Sequence, residues 1–248
     1  MAIKPEGDYG IDAPWVPWMW VGYTVLYAAL TAAAATLWND EWWVVALFAL
    51  LTVVFAAAAA LYWYVSLRGK FVLWDRLLST VALPSGARVL DLGCGHGMVS
   101  IMTALRSPES TVTGIDLWRS IDQSGNTPDA ARSNAELNGV GDRVRFDTGD
   151  MTKLPYPDGS FDLVTASVSI HNIRSREGRR TAIAEAARVL APGGRIVAAD
   201  IRRTTEYADD LRSAGFAVTT LPLGWRGWWS GPWMSTTAVS AAMPSRPA

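Results

Sequence analysis

A glycine-rich turn followed by a downstream carboxylate is the pattern in this sequence that most directly indicates chemistry. The apolar segment Arg88–Leu92 runs into the turn Gly93-Cys-Gly-His-Gly97, and Asp116 ends a second apolar segment about twenty residues later. Glycines let the backbone approach a ligand closely, and a carboxylate on the neighbouring strand can accept both hydroxyls of a ribose. The spacing therefore predicts a site for a small, ribose-bearing cofactor at the carboxyl end of a parallel sheet.

The spacing of the glycines bears on the class of cofactor. A nicotinamide site usually has the pattern G-x-G-x-x-G, whereas the position five after Gly93 is Met98. The missing third glycine disfavours a nicotinamide-dependent oxidoreductase, which stays an alternative because glycine turns with a downstream acid recur among several nucleotide binders.

Further segments in a fixed order favour another class. They are Asp91-Leu-Gly-Cys-Gly-His-Gly97, Gly114-Ile-Asp-Leu117, Gly149-Asp-Met151 with Leu154-Pro155, Phe161-Asp-Leu-Val164 and Leu190-Ala-Pro-Gly-Gly-Arg195. Together they resemble class I S-adenosylmethionine-dependent methyltransferases, in particular the ubiquinone/menaquinone-biosynthesis C-methyltransferases. The resemblance extends from about Leu83 to the C-terminus. It implies a seven-stranded, Rossmann-like, doubly wound α/β sheet, with S-adenosylmethionine as cofactor and S-adenosylhomocysteine as product.

The resemblance also implies a set of cofactor-binding residues. They are Asp91, Gly93, Cys94, Gly95, Gly97, Asp116, Leu117, Asp150, Met151 and Ser167. In this interpretation Asp91 lies near the ammonium group of the cofactor, Asp116 accepts the ribose hydroxyls and Asp150 accepts from the adenine amino group. Ser167 would line the floor beside the sulfonium. Carboxylates and bare peptide suit a cationic ligand without phosphate, and no G-K-[ST] phosphate loop is present.

His171 is the candidate catalytic residue. It follows the predicted fourth strand, on the rim where ligands bind in such sheets. A base is needed only if the methyl acceptor is a neutral hydroxyl or an acidic carbon. The alternative is that His171 or Asn172 caps a loop or shapes the pocket. His96, within the glycine turn, is expected to be a solvated loop residue.

Strand and helix patterns alternate after Leu83, which is typical of a parallel sheet with helices on both faces. The predicted strands cover residues 88–92, 111–116, 144–148, 161–167, 195–200, 217–222 and 235–242. The predicted helices cover residues 98–106, 128–138, 177–191 and 205–214. Ala191-Pro-Gly-Gly194 is expected to stop the third of these helices.

Two long uncharged stretches precede this domain, from Ala13 to Asn39 and from Trp42 to Leu67. Each exceeds the roughly 20 residues that a helix needs to cross about 30 Å of hydrocarbon. We therefore expect a transmembrane helical hairpin in residues 1–67, with spans at about 15–38 and 42–65. A juxtamembrane connecting helix would occupy residues 68–84, and the methyltransferase domain residues 85–248.

The charged residues around these stretches predict an orientation. Asp40 and Glu41 would form a turn in water between the spans, and Arg68, Lys70 and Arg76 follow the second span. The sequence thus predicts an integral membrane protein with its catalytic domain on the cytoplasmic side. The alternatives are a cleaved signal peptide and an alanine-rich hairpin buried in a soluble protein. The same alanine-rich faces could also form a homo-oligomer.

Composition excludes some function classes. A formal net charge of −1 gives no general attraction to nucleic acid. Cys94 is the only cysteine, which leaves no disulfide framework and no cysteine metal site within one chain. No metal site is predicted.

The sequence predicts a membrane-anchored methyltransferase acting on a hydrophobic small-molecule or lipid-like acceptor such as a quinone, an isoprenoid or a secondary metabolite. Its glycine-rich loop 224–233 carries four tryptophans, which are expected to enter the membrane interface. Arg174, Arg176, Arg179 and Arg180 form either a solvated helix face or a contact for anionic headgroups. The remaining alternative function is a non-catalytic scaffold that binds S-adenosylmethionine.

Overall fold

The computed structural model describes residues 3–38 and 40–244. Helices α1 (Trp15–Leu37) and α2 (Trp42–Tyr64) form an N-terminal hairpin. Aromatic side chains hold the two helices together, with Tyr27 stacked on Phe55 at a centroid distance of 5.2 Å. A membrane-length hairpin therefore precedes the rest of the chain.

Helix α2 continues into the domain without a break. One π-helical turn, Val65–Gly69, joins it to α3 (Lys70–Ser79), so that a single helical segment runs from Trp42 to Ser79. A Cβ at Gly69 would stand 2.7 Å from the carbonyl oxygen of Arg226, which explains why this position is glycine. π-Helical turns occur often at functional sites, because they displace side chains from the regular helical register.

The seven-stranded, doubly wound sheet predicted from the sequence is confirmed. Its strands are β1 (Arg88–Leu92), β2 (Thr111–Asp116), β3 (Val144–Thr148), β4 (Phe161–Ser167), β5 (Leu190–Asp200), β6 (Ala217–Pro222) and β7 (Thr237–Ala242). They lie in the order β3-β2-β1-β4-β5-β7-β6. Strand β7 runs antiparallel to both β5 and β6, so the sheet is mixed rather than wholly parallel. The order reverses between β1 and β4, which is where open α/β sheets bind ligands.

Four helices follow the strands: α4 (Met98–Arg106), α5 (Pro128–Leu137), α6 (Arg176–Arg188) and α7 (Thr204–Ser213). The prediction for the end of α6 is wrong. Residues 191–194 do not stop a helix; they belong to β5, which starts at Leu190 and pairs with Phe161 of β4. Gly194 lies against the carbonyl oxygen of Asp162, where a Cβ would come within 2.9 Å, so the glycines serve strand pairing instead.

The sheet is covered on both faces, as the doubly wound arrangement requires. On one face Trp74 of α3 and Met102 of α4 are buried, and on the other Ile183 of α6 and Leu211 of α7 are buried. A third, smaller apolar cluster lies where the hairpin meets the domain, and it consists of Val16, Tyr62, Val65 and Trp229 with their neighbours. This cluster packs the start of α1 and the end of α2 next to the edge of the sheet where the parallel strands end.

Helices α1 and α2 have the length and composition of membrane-crossing helices. Their most apolar windows have mean hydropathy 1.4 and 2.8, and only 6% and 11% of those windows are buried within the chain. A hairpin in the core of a soluble protein would be mostly covered, which these helices are not.

Candidate active site

A pocket opens at the carboxyl ends of β1, β2 and β4, with an empty volume of about 1010 Å³ including its mouth. Among the predicted cofactor residues, all but Gly97 line it. The sheet brings them together because parallel strands end at one edge. The sequence prediction therefore converges on a single cavity.

The glycine turn presents bare peptide to this cavity. Gly93 and Gly95 both have positive φ, at 66° and 51°. An added Cβ would stand 2.4 Å from the Cβ of Ser169 and 2.3 Å from Oε1 of Gln123, respectively. Gly97, with φ 79°, begins α4 and lies against the ring of Phe146 instead. The structure thus gives Gly97 a packing position outside the pocket lining.

Two carboxylates at the strand ends are held by the chain itself. Asp116 Oδ2 accepts a hydrogen bond from the Gly95 amide at 3.0 Å. Asp91 is buried, and its oxygens accept from the hydroxyls of Ser100 and Thr165 at 2.7 and 2.8 Å. Burial raises the pKa of Asp91 to about 6, although the hydroxyl hydrogen bonds act in the opposite direction. Asp91 is thus a buried acid whose ionisation a cationic ligand would favour.

The other predicted cofactor residues occupy the walls. Leu117 is 53% exposed at the mouth, and Asp150 is exposed beside Met151. Ser167 Oγ accepts a hydrogen bond from Nε1 of Trp74 at 2.8 Å. Burial raises the pKa of the Cys94 thiol well above its ordinary value, so this residue contributes shape and not nucleophilic chemistry.

The lining of the pocket is rich in carboxylates. The acidic members are Asp12, Asp91, Asp116, Asp122 and Asp150, whereas the basic ones are Lys70 and Arg119. An excess of carboxylates favours a cationic ligand and disfavours a phosphate.

His171 lies beside the pocket, while its neighbours Asn172 and Ile173 line it. Its Nδ1 is 2.7 Å from Oδ1 of Asp200, at the end of β5, although the two are not aligned as a straight hydrogen bond. Asp200 Oδ2 also accepts from the His171 amide and from the Tyr207 hydroxyl, each at 3.2 Å. A buried carboxylate therefore lies against the imidazole and holds the backbone of His171. Sequence reasoning missed Asp200, although an acid at the tip of β5 was a usable signal.

The expectation that His96 is solvated is wrong. It is 4% exposed, and its Nδ1 lies 2.8 Å from the carbonyl oxygen of Asp8. The reason is that residues 6–13, ahead of the first helix, fold back over the glycine turn. Residues 6–13 are far from His96 in sequence, so the residues next to His96 could not indicate that this segment covers it.

The same segment brings unpredicted residues into the pocket. Asp12 and Lys70 both line it, and they form an ion pair of 2.9 Å. Gln123 and Trp229 also line it. Asp12 and Lys70 flank the hairpin in sequence, and no short-range pattern indicates that the hairpin returns them to one place.

Two surface predictions need correction. Arg179 is 5% exposed and pairs with Glu206, and Arg176 pairs with Asp210, so these two arginines join α6 to α7 and do not form a free cationic patch. In the tryptophan loop, Trp225 and Trp233 are 50% and 67% exposed, whereas Trp229 is buried. The whole loop therefore cannot enter a membrane interface.

One stretch of the domain matches a known protein family. Residues 89–194 match the family model described as "Methyltransferase domain". The matched stretch is similar to that family and makes up less than half of the chain. The match covers the glycine turn, Asp116, Asp150 and His171. The predicted enzyme class, an S-adenosylmethionine-dependent methyltransferase, and its cofactor are thereby confirmed at the level of the domain.

Similar curated proteins carry methyltransferase names. The chain is 41% identical over 128 residues to 27-O-demethylrifamycin SV methyltransferase of Amycolatopsis mediterranei, covering 52% of this chain and 43% of that protein. It is 37% identical over 130 residues to a demethylmenaquinone methyltransferase of Thermus thermophilus, covering 52% and 54%. The chain thus spans about half the length of the curated relatives it matches.

A solved structure has the same fold. The geranyl diphosphate C-methyltransferase from Streptomyces coelicolor, solved with S-adenosyl-L-homocysteine, superposes with a TM-score of 0.55 at 16% identity. The superposition covers 70% of this chain and 78% of that one. The uncovered part of this chain is of the size expected for the hairpin.

Proposed function

We propose that this protein is a membrane-anchored methyltransferase that moves a methyl group from S-adenosylmethionine to an apolar acceptor drawn from the bilayer. The observation that carries the proposal is the position of Trp229. Its side chain lines the cofactor pocket and also packs on Tyr62 of α2, at a centroid distance of 5.3 Å. One side chain therefore separates the pocket from the membrane-length hairpin.

The residues present fit the proposed cofactor. The turn at Gly93 and Gly95 would hold the methionine part, because both glycines line the pocket and present backbone without a Cβ. Asp116 would bind the ribose, and Asp91 would face the ammonium group. When bound, the sulfonium supplies an electrophilic methyl group, so that the chain needs mainly to align the acceptor and exclude water.

An apolar acceptor is supported from two sides. Val168, at the tip of β4, lines the pocket and also contacts the hairpin cluster. Its φ of 50° is unusual for a β-branched residue, and such strain concentrates at functional sites. The relatives at 41% and 37% identity are named for 27-O-demethylrifamycin SV and for demethylmenaquinone, and a menaquinone precursor is an apolar compound.

The proposed membrane location rests on the hairpin. Few residues of the two apolar helices are buried within the chain, which water would disfavour and lipid would not. Exposed Arg68 and Arg76 follow the second helix and favour a cytoplasmic domain. The alanine-rich faces of these helices would also allow two copies of the chain to associate.

His171 is the proposed base for an acceptor that must lose a proton. Its 2.7 Å distance to the Asp200 carboxylate favours an imidazole oriented to take that proton. An acceptor that is already anionic would not need it.

Incubation with isotopically methyl-labelled S-adenosylmethionine and a membrane lipid extract tests the proposal. We expect label in a hydrophobic product, and none when the extract is replaced by water-soluble acceptors alone. Cofactor binding without methyl consumption would favour the scaffold alternative. Calorimetric binding of NADH in place of S-adenosylmethionine would favour the oxidoreductase.

A further inference from the structure

Residues 6–13 form a strap that lies against the cofactor turn and its neighbouring loop. The strap accepts hydrogen bonds from Gln123 and Asn134 on its carbonyl oxygens, at Tyr9 and Asp8, with distances of 3.0 and 2.7 Å. Its Ala13 amide donates to the carbonyl oxygen of Asp122 at 2.9 Å. It is thus attached at several points to the 119–126 loop and to α5.

Lys70 fastens this strap from the other side. It is 6% exposed, directly after the π-helical turn, and its Nζ donates to the Tyr9 carbonyl oxygen at 3.0 Å and to Asp12 Oδ2 at 2.9 Å. Ser66, within the π-helical turn, donates to the same Asp12 oxygen at 3.2 Å, and the Tyr62 hydroxyl donates to the Asp12 carbonyl oxygen at 2.7 Å. The strap is therefore held by the end of the second hairpin helix.

Gln123 connects the strap to the glycine turn by hydrogen bonds. Its Nε2 donates to Asp12 Oδ1 at 3.2 Å, while its Oε1 accepts from the His96 amide at 3.0 Å. Lys70, Asp12 and Gln123 all line the cofactor pocket. Three side chains in contact thus join the membrane hairpin to the turn that would hold the methionine part of the cofactor.

We propose that Lys70 and Asp12 are positioning residues that close the strap over the bound cofactor and set its rate of release. The inference rests on the proposed function, because it assumes that the pocket binds S-adenosylmethionine and its product. Among the described residues, Lys70 is the cation that forms an ion pair with the strap. When this ion pair breaks, the part of the pocket wall formed by Asp12 is free to move away. Opening lowers the fraction of chains competent to hold the ligand, and the apparent affinity falls by that fraction.

The test uses the full chain in lipid nanodiscs with S-adenosylhomocysteine as probe. The variants are Lys70→Met, Asp12→Asn and the double variant, with Arg76→Met and Asp142→Asn as matched controls on exposed charges. We expect each single variant to bind the probe about tenfold more weakly, with faster release in stopped flow. The double variant should lose no more than either single variant, because both remove one interaction.

Hydrogen exchange separates a positioning role from general destabilisation. Exchange should rise in residues 8–13 of the variants and stay unchanged in β1. Probe affinities within twofold of wild type, or exchange rising equally across the sheet, would overturn the inference. If the wild type binds neither S-adenosylmethionine nor its product, the proposed function fails. In that case hydrogen exchange alone tests whether Lys70 and Asp12 fasten the strap. Loss of protection in residues 8–13 of the variants would support this role, and unchanged protection would overturn it.

Discussion

Asp91 is the residue whose chemistry depends most clearly on its surroundings. Its buried position raises its pKa from 3.8 to about 6, so between those values the folded chain binds more protons than the unfolded one. The free energy of unfolding contributed by this group therefore decreases as pH rises through that window. A bound ammonium group has the opposite preference, since it favours the ionised carboxylate.

We expect the affinity for S-adenosylmethionine to rise between about pH 5 and pH 7 as Asp91 ionises. Asp91→Asn should remove most of this pH dependence and weaken binding about tenfold to a hundredfold at pH 7.5, because a charge-assisted hydrogen bond is lost. Isothermal titration at several pH values measures both effects. Asp209→Asn, on the exposed face of α7, is the control. An unchanged pH profile in Asp91→Asn would place the ammonium group elsewhere.

The pair of His171 and Asp200 makes a second prediction at this scale. If the acceptor is a hydroxyl, His171→Gln should lower kcat about a hundredfold or more while cofactor affinity stays within twofold. Asp200→Asn should act in the same direction and change the pH dependence of kcat, because the imidazole loses its carboxylate partner. Single-turnover rates with the labelled acceptor give the measurement. Wild-type kcat in His171→Gln would reduce the histidine to a loop-shaping role.

At the residue scale, the sequence could predict which residues meet only where they lie in one continuous pattern of strands and turns. The glycine turn and Asp116 belong to one strand–turn–helix–strand pattern, so their position in one pocket could be expected. Asp12 and Lys70 are separated by the whole hairpin, and their contact depends on how that hairpin returns to the domain. His96 was misread for the same reason, because its cover comes from distant residues.

At the scale of elements, strands β1 to β4 and β6 have the bounds that the sequence patterns predict. Strands β1, β2 and β4 are largely apolar, and β3 alternates apolar and polar residues. The start of β5 was missed because Pro192 and two glycines are typical of a helix end, whereas pairing with β4 overrides that local preference. The π-helical turn was also unpredicted. Its sequence, Val65–Gly69, has no signal that separates it from an ordinary helix.

The loop between β6 and β7 makes a prediction at the scale of an element. Trp225 and Trp233 are exposed near the hairpin, and Trp225 stacks on Tyr64 at 5.6 Å. We expect an environment-sensitive dye attached at Trp233→Cys to emit at shorter wavelength in nanodiscs than in detergent-free buffer, and to be quenched by spin-labelled lipid. Buried Cys94 should stay unlabelled. The same dye at Ser213→Cys, the last residue of α7, is the control, and equal quenching at both positions would contradict an interfacial position of Trp233.

At the scale of the whole molecule, the hairpin and the domain depend on each other. The apolar cluster around Trp229 and the ion pair of Lys70 both lie at their junction, so residues that flank the hairpin supply part of the pocket wall. Composition alone could predict a hairpin and a domain, because each has its own hydrophobic pattern. It could not predict the junction, which depends on contacts between segments far apart in sequence.

The orientation of this assembly can be measured directly. Asp40 lies exposed in the turn between α1 and α2. Arg68 and Arg76 follow the opposite, C-terminal end of α2. Because cationic residues favour the cytoplasmic side, Asp40→Cys should react with a membrane-impermeant maleimide in intact cells. Ser213→Cys should react only after permeabilisation, and the wild type, with Cys94 buried, should react in neither case. Labelling of Ser213→Cys in intact cells would show that the orientation is the opposite one. Release of the chain by an alkaline carbonate wash would show that it does not span the membrane, and the exposed apolar hairpin would then have to pack on another protein.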